Sequence, residues 1–251
     1  MKSAIQDKEL SPEQIEALVT QYANELEIPE NLHIEYVCRA CCKNSELAPD
    51  IKKRKGCENL SAEKRIKKWV KGFYNSYKNR FNRCRVKETK TVPDPALSLL
   101  LAKTRKFTKK QLEKAIAAHR LAMSAENVIG NMLELFLFEK LHEHGWSAAW
   151  GSTISHVDFC SKDGVLLQVK NRDNSENSSS KTVRDNHDIK FWFRSNSKSE
   201  DTNWSALSLV DGIDSGVAQE LTEENFRQYI GEVVKNISSN KGKGKNEKCN
   251  K

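Results

Sequence analysis

Apolar residues recur every three or four positions through most of the N-terminal third, the repeat that sets one face of an α-helix against a core. Ser11-Pro12-Glu13-Gln14 is a capping box with proline at the first helical position. Ile15, Leu18, Val19, Tyr22, Ala23 and Leu26 follow at helical spacing until Pro29 closes the run. A second helix is predicted from about Ser61 to Arg85. Ile66, Trp69, Val70, Phe73, Tyr77 and Phe81 share one face, with Lys64, Lys67, Lys68, Lys71, Lys78 and Arg85 elsewhere. Thr91 to Pro95, with prolines on both sides of Asp94, marks an internal boundary. Beyond it a third helix starts at Thr108, where Gln111 completes another capping box, and runs to about Met123. A fourth begins with Ser124 as N-cap and carries Val128, Ile129, Met132, Leu133, Phe136, Leu137 and Leu141 before Gly145 ends it.

After Gly145 the pattern shortens to strand length. A strand through Ser147 to Trp150 is expected, then one at Asp158, then the apolar run Val165, Leu166, Leu167, Val169, with Asp163-Gly164 as a hairpin turn between the last two. Lys190-Phe-Trp-Phe-Arg194 has the apolar density of a buried strand. The polar stretch from Asn171 to Arg184 reads as a loop, as does Leu209 to Gly216. Thr222-Glu-Glu opens a last helix reaching towards Ile237. From Ser238 onwards Ser, Asn, Gly and Lys dominate, the composition of a disordered tail. Three regions are expected: a helical, basic 1–92, suited to DNA binding or dimerisation, a core of 93–237, and a tail of 238–251. No internal repeat is visible.

The chemistry concentrates between Val157 and Ser180. Nine residues separate Asp158 from Gln168, and Lys170 lies two beyond. This is the acid, spacer, acid-x-Lys spacing of a Mg²⁺-dependent phosphodiester hydrolase, with Gln in the second acidic position. Side chains alternate faces in a strand, so Gln168 and Lys170 project to one side, and the hairpin brings Asp158 close to both. Oxygens from Asp158, Gln168 and a backbone carbonyl suit Mg²⁺, a hard cation that keeps several waters. Lys170 would position or deprotonate the attacking water and face the charge of the transition state. Polar residues at such offsets also occur in ordinary hairpins, and spacing alone does not separate the two readings. Glu134 lies beside the apolar stripe of the preceding helix. Gly130, four residues earlier, is expected to let a strand approach closely. The order of helix with Glu134, strand, Asp strand and Gln-x-Lys strand resembles the core of the PD-(D/E)XK nuclease superfamily, in which a helical Glu often supplements the metal site.

The resemblance narrows at Gln168-Val-Lys-Asn-Arg-Asp-Asn-Ser-Glu-Asn-Ser-Ser-Ser180, followed by Ile189-Lys-Phe-Trp-Phe-Arg-Ser-Asn-Ser197 and Thr202-Asn-Trp204. With the Glu134 helix and Val157-Asp-Phe-Cys160, these resemble the SinI family of type II restriction endonucleases over roughly residues 104 to 210. Membership implies an α/β, restriction-endonuclease-like core with a central mixed β-sheet flanked by helices, beside the helical N-terminal region. It also implies Mg²⁺-dependent double-strand cleavage of DNA at a GG(A/T)CC-type site. A homodimer would match the two-fold axis of a palindromic site, and a cognate DNA methyltransferase would be expected in the same host. Asp158, Gln168 and Glu134 would hold the metal and Lys170 would assist the water. Gln168 departs from the superfamily's usual Glu or Asp, and a neutral amide oxygen holds Mg²⁺ less strongly. By itself the 171–184 stretch reads as a solvated connection. With the resemblance, Asn171, Arg172, Asn174, Glu176, Asn177, Lys181 and Arg184 become candidates for base or phosphate contacts, and Arg172 or Arg184 could make a bidentate guanine contact.

Composition changes this picture little. A net charge of +8 and a pI near 9.0 suit a polyanionic partner, and basic residues concentrate between Lys43 and Lys110 and from Lys235 onwards. A solvated basic surface would look the same. Seven cysteines, an odd number, without an apolar signal core fit free thiols in a reducing compartment. Cys38-x2-Cys41, with Cys57 beyond, has ligand-like spacing, but no second pair follows and free thiols are the expected state. No run approaches 18 apolar residues, which points to a soluble, cytoplasmic protein. Two other readings stay open. One is a catalytically weak DNA-binding module that keeps the fold; the other is a structure-specific repair nuclease such as a Holliday-junction resolvase.

Overall fold

The computed structural model describes residues 1–6, 9–49, 60–87, 92, 94–173 and 178–246. They form two compact units: Met1–Arg80 with Leu133–Lys251, and Phe81–Met132. The boundary expected at Thr91 to Pro95, of which Thr91 and Pro93 lie outside the described residues, falls within the second unit.

The first unit begins with α1 (Lys2–Gln6) and α2 (Pro12–Glu25). The expected capping box is present: the Ser11 hydroxyl accepts from Gln14 N at 3.3 Å and the Gln14 side chain accepts from Ser11 N at 2.8 Å. α3 (Ile34–Lys43) holds the cysteine run, with Cys38 and Cys41 on its buried face. α4 (Ala62–Lys78) buries Ile66, Trp69, Val70 and Phe73 as the stripe predicts, but ends before Arg85 and passes into a 3₁₀ turn at Arg80–Cys84. These helices are bonded to the sheet region. Trp69 Nε1 and Cys41 Sγ donate to the Thr153 carbonyl at 2.9 and 3.4 Å, and Ser147 Oγ donates to the Leu32 carbonyl at 2.7 Å. Residues 1–80 therefore belong to the same unit as the sheet.

The sheet has the order β1 (Trp146–Ala148), β2 (Phe159–Ser161), β3 (Leu166–Arg172), β4 (Ile189–Ser195). The first two pairings are antiparallel and the last is parallel, so the sheet is mixed. The β2–β3 hairpin closes as Asp163-Gly164 predicts. Gly164 takes a positive φ of 87°, and the Ser161 hydroxyl accepts from Asp163 N and Val165 N at 3.2 and 3.0 Å. A parallel pair needs a crossover. The segment expected to be a loop supplies it as α7 (Ser178–His187).

The two helices expected on either side of Ser124 are one, α6 (Lys109–Leu141). Ser124 does not cap it; its hydroxyl instead accepts from Lys87 N at 3.1 Å. The Thr108–Gln111 capping box opens the helix as expected, and Gly145, at φ 81°, turns the chain after a 3₁₀ turn at His142–His144. By length and hydropathy α6 could cross a membrane. Its C-terminal half behaves as a core helix: Phe136 packs on Trp204, Phe226 and Tyr229, and Leu133, Leu137 and Leu141 are fully covered. Among the described residues a Cβ on Gly130 would meet nothing within 4 Å. Short helices α8 (Trp204–Leu207) and α9 (Ser215–Ala218) lead to α10 (Glu223–Asn246). α10 continues past Ile237, so 238–246, expected in the disordered tail, extends a helix, and 247–251 lie outside the described residues.

The second unit holds α5 (Pro95–Arg105), which the sequence reading missed, and α6 up to Met132. Asp94 caps α5 through Ala96 N at 2.8 Å. No residue of this helix is buried, and Leu97, Leu99 and Leu100 are exposed.

Candidate active site

Asp158 stands one residue before β2 and is fixed to the backbone of β3 on both sides of Gln168. Its N–H donates to the Leu167 carbonyl at 2.9 Å, and its carboxylate Oδ2 accepts from Val169 N at 2.7 Å. The hairpin register, Phe159 opposite Leu167 and Cys160 opposite Leu166, delivers it there. Its charge reaches the next turn of the hairpin: the fully buried Cys160 thiol is pushed up, first by burial and then by Asp158. Lys170, half-buried, is two residues beyond Gln168 on the same face of β3.

Gln168 itself is buried, at 5 % exposure. Arg184 of α7, also buried, donates from Nη1 to its Oε1 at 3.0 Å, and the same guanidinium lies 4.2 Å from the centroid of Phe191, the β4 register partner of Gln168. An arginine is only a donor, so the amide atom facing it must be the oxygen. Charge-assisted bonding and the aromatic face offset part of the cost of burying the guanidinium.

The expected metal set fits in part. Mg²⁺ is held by one or two carboxylates plus waters and substrate oxygens, and Asp158, anchored through one oxygen, meets that requirement. Glu134, half-buried on α6 between Leu133 and Leu135, is a second carboxylate of the same unit. Gln168 does not fit as it stands. Its only ligating oxygen carries a guanidinium, and a divalent ion on that oxygen would face a full positive charge at about 5 Å, a repulsion of several kcal/mol at an effective dielectric of about 20. Among the described residues no three His, Cys, Asp or Glu groups converge on a metal-sized space. Among the described residues Cys38, Cys41, Cys42, Cys84 and Cys160 form no disulfide, and Cys57 and Cys249 lie outside them.

The other sequence candidates separate by exposure. Arg172 at the end of β3 and Lys181 on α7 are exposed. Arg184 is buried, with its guanidinium on the Gln168 oxygen. Asn171 has its side-chain oxygen on Arg194 Nε at 2.9 Å and its carbonyl on Ser195 Oγ at 3.0 Å, so it clamps β3 to β4. Asn174, Glu176 and Asn177 lie outside the described residues.

A half-buried network missed by the sequence reading holds this end of the sheet, with Arg227 joining it from the exposed surface. Arg194 Nη1 bonds both Glu223 oxygens at 2.9 and 2.8 Å, Trp204 Nε1 bonds Glu223 Oε2 at 3.0 Å, and Arg227 adds Nε at 3.1 Å. Burial alone would raise the Glu223 carboxyl; the bonds from Trp204 and Arg194 outweigh it and hold the group below the usual carboxylate range. The sequence offered Arg194 and Trp204 within the runs that carry the family resemblance, but not the network that joins them through Glu223.

A mixed sheet with an acidic hairpin, a Gln-x-Lys strand and a helical crossover defines an α/β protein of restriction-endonuclease-like fold. The chain belongs to the SinI restriction endonuclease family, whose family model matches residues 27–236 and so takes in the helices from α3 onwards as well as the sheet. It is similar to the type II restriction enzyme Eco47I of Escherichia coli, 43% identical over 145 residues, covering 56% of this chain and 61% of that one. It is similar also to the type II restriction enzyme SinI of Salmonella infantis, 40% identical over 152 residues, covering 59% and 64%. The matched segment thus spans somewhat over six-tenths of each relative.

Proposed function

We propose that this chain is a type II restriction endonuclease that cuts both strands of DNA at a short specific site of the GG(A/T)CC type, acting in the cytoplasm as a homodimer in a host that carries the cognate methyltransferase. The observation that carries the reading is the anchoring of the Asp158 carboxylate to β3 at Val169, one residue from Lys170, in a chain of this family. Asp158, with Glu134, would hold Mg²⁺, and the ion when bound supplies charge neutralisation at the scissile phosphate and a more acidic water.

Every other step belongs to side chains of this protein. Asp158 keeps its orientation because its Oδ2 accepts from the Val169 backbone N–H. Lys170 presents an ammonium on the same face, where it orients the attacking water and meets the charge that develops on the phosphoryl oxygens. Water oxygen bonds to phosphorus, one ester P–O bond breaks, the attacking water gives up a proton, and the leaving oxygen takes one. Two copies related by a two-fold axis match a two-fold DNA site, each serving one strand.

The test is incubation of the purified protein with unmethylated phage DNA, with Mg²⁺ and with EDTA, beside Lys170→Ala. Discrete bands that require Mg²⁺ and vanish in the variant are expected, with ends mapping to GG(A/T)CC. DNA that is retarded on a native gel but never cut would overturn the enzyme reading in favour of a binding module.

A further inference from the structure

We infer that Arg184 is a positioning residue that acts through Gln168, and that Gln168 serves the proposed hydrolysis as a hydrogen-bond donor and not as a metal ligand. The inference rests on the proposed function for the reaction and on the Arg184–Gln168 contact for the assignment. The guanidinium takes the amide oxygen at 3.0 Å, and both residues are buried, so the amide cannot turn over without placing its NH₂ against five guanidinium donors. Oxygen committed, the group that Gln168 has left to offer is NH₂. It sits on the strand face shared with Lys170, between the two β3 peptides that Asp158 grips. A phosphate oxygen or the attacking water is the acceptor such a donor suits. Phe191, the neighbour of Gln168 across the parallel pair, has its ring centroid 4.2 Å from the same guanidinium. The position that carries an acid in a metal-ligating arrangement is here built around a cation, and a neutral amide is the side chain that tolerates both the cation and a phosphate.

The experiment uses the full chain and three measurements. The first is calorimetric titration with Mn²⁺, alone and on a site-containing duplex, for the wild type, Asp158→Asn, Gln168→Met and Gln168→Glu. Gln168→Met should leave the Mn²⁺ Kd within about twofold, while Asp158→Asn weakens it about tenfold or more. Gln168→Glu should gain no affinity, because its carboxylate pairs with Arg184. An equal loss in Gln168→Met and Asp158→Asn, or a tenfold gain in Gln168→Glu, would overturn the inference. The second is the single-turnover cleavage rate at saturating Mg²⁺ for Arg184→Met, Arg184→Lys, Gln168→Met and the double Met variant. Arg184→Lys, which keeps a donor for the amide, should recover part of the rate. The double variant should be no slower than Gln168→Met, and multiplying losses would show that Arg184 does not act through Gln168. The third is urea unfolding of the same set, which reads the coupling of the pair even in protein that never cuts DNA. A wild type that binds Mn²⁺ but does not cleave sinks the proposed function; additive unfolding effects sink the Arg184–Gln168 clamp.

Discussion

Asp158 is held by peptide groups, which lets its charge be removed without removing its place in the fold. Asp158→Asn keeps an oxygen for Val169 N, so urea unfolding should change by less than about 1 kcal/mol, while cleavage falls about 100-fold or more in single-turnover assays. Unfolding that collapses in this variant would make Asp158 a structural residue. Glu223 is the opposite case, a carboxylate whose charge serves the fold. Its folded pKa lies below the unfolded value, so its stabilisation is present above the unfolded carboxylate range and is lost as pH falls through the folded pKa. Glu223→Gln should lower the melting temperature at pH 7, and the gap to wild type should narrow below about pH 4. A constant gap across that window would mean that the ion pair with Arg194 adds nothing beyond shape.

At the scale of elements, what the sequence revealed and what it hid divide along one line, local against tertiary. Both capping boxes, at Ser11 and Thr108, were legible because each is settled by residues three apart. The β2–β3 hairpin was legible for the same reason, with Asp163-Gly164 supplying the one residue that takes φ 87° without strain. Gly164→Ala therefore costs backbone strain alone, since a Cβ there meets nothing within 4 Å. Loss of about 1 kcal/mol in urea unfolding is expected, and no loss would show that the turn relaxes. α7 was hidden because Ser, Asn and Asp signal turns; what fixes it is a parallel crossover and the burial of Arg184, neither written in the segment itself. The continuity of α6 through Ser124 was hidden similarly, since a serine that looks like a cap is satisfied by Lys87. Of the candidate site, the spacing of Asp158, Gln168 and Lys170 was readable, but the cation on Gln168 was not. Phe136 shows how far tertiary contacts reach, touching one ring in α8 and two in α10. Phe136→Ala should cost about 3 to 5 kcal/mol by urea unfolding.

For the whole molecule, charge and exposure together sort the residues that could meet DNA. On the proposed function, the net charge of +8 acts through released counterions, so log K for DNA should fall linearly with log salt whatever the DNA sequence. Lys181 is exposed on the crossover helix and offers a point charge, which suits a phosphate; Arg172, exposed at the end of β3 two residues beyond Lys170, offers the planar fork that reads guanine. The two should fail differently. Lys181→Ala should weaken site-containing and unrelated duplexes alike and reduce the salt slope by about one. Arg172→Ala should cost about 1 to 3 kcal/mol on the cognate duplex and much less on an unrelated one, narrowing the ratio between them. Fluorescence titrations of both duplexes from low to moderate salt separate the cases. If Arg172→Ala instead shifts both duplexes equally, then β3 ends in a phosphate contact, and recognition of the bases must be sought elsewhere on the chain.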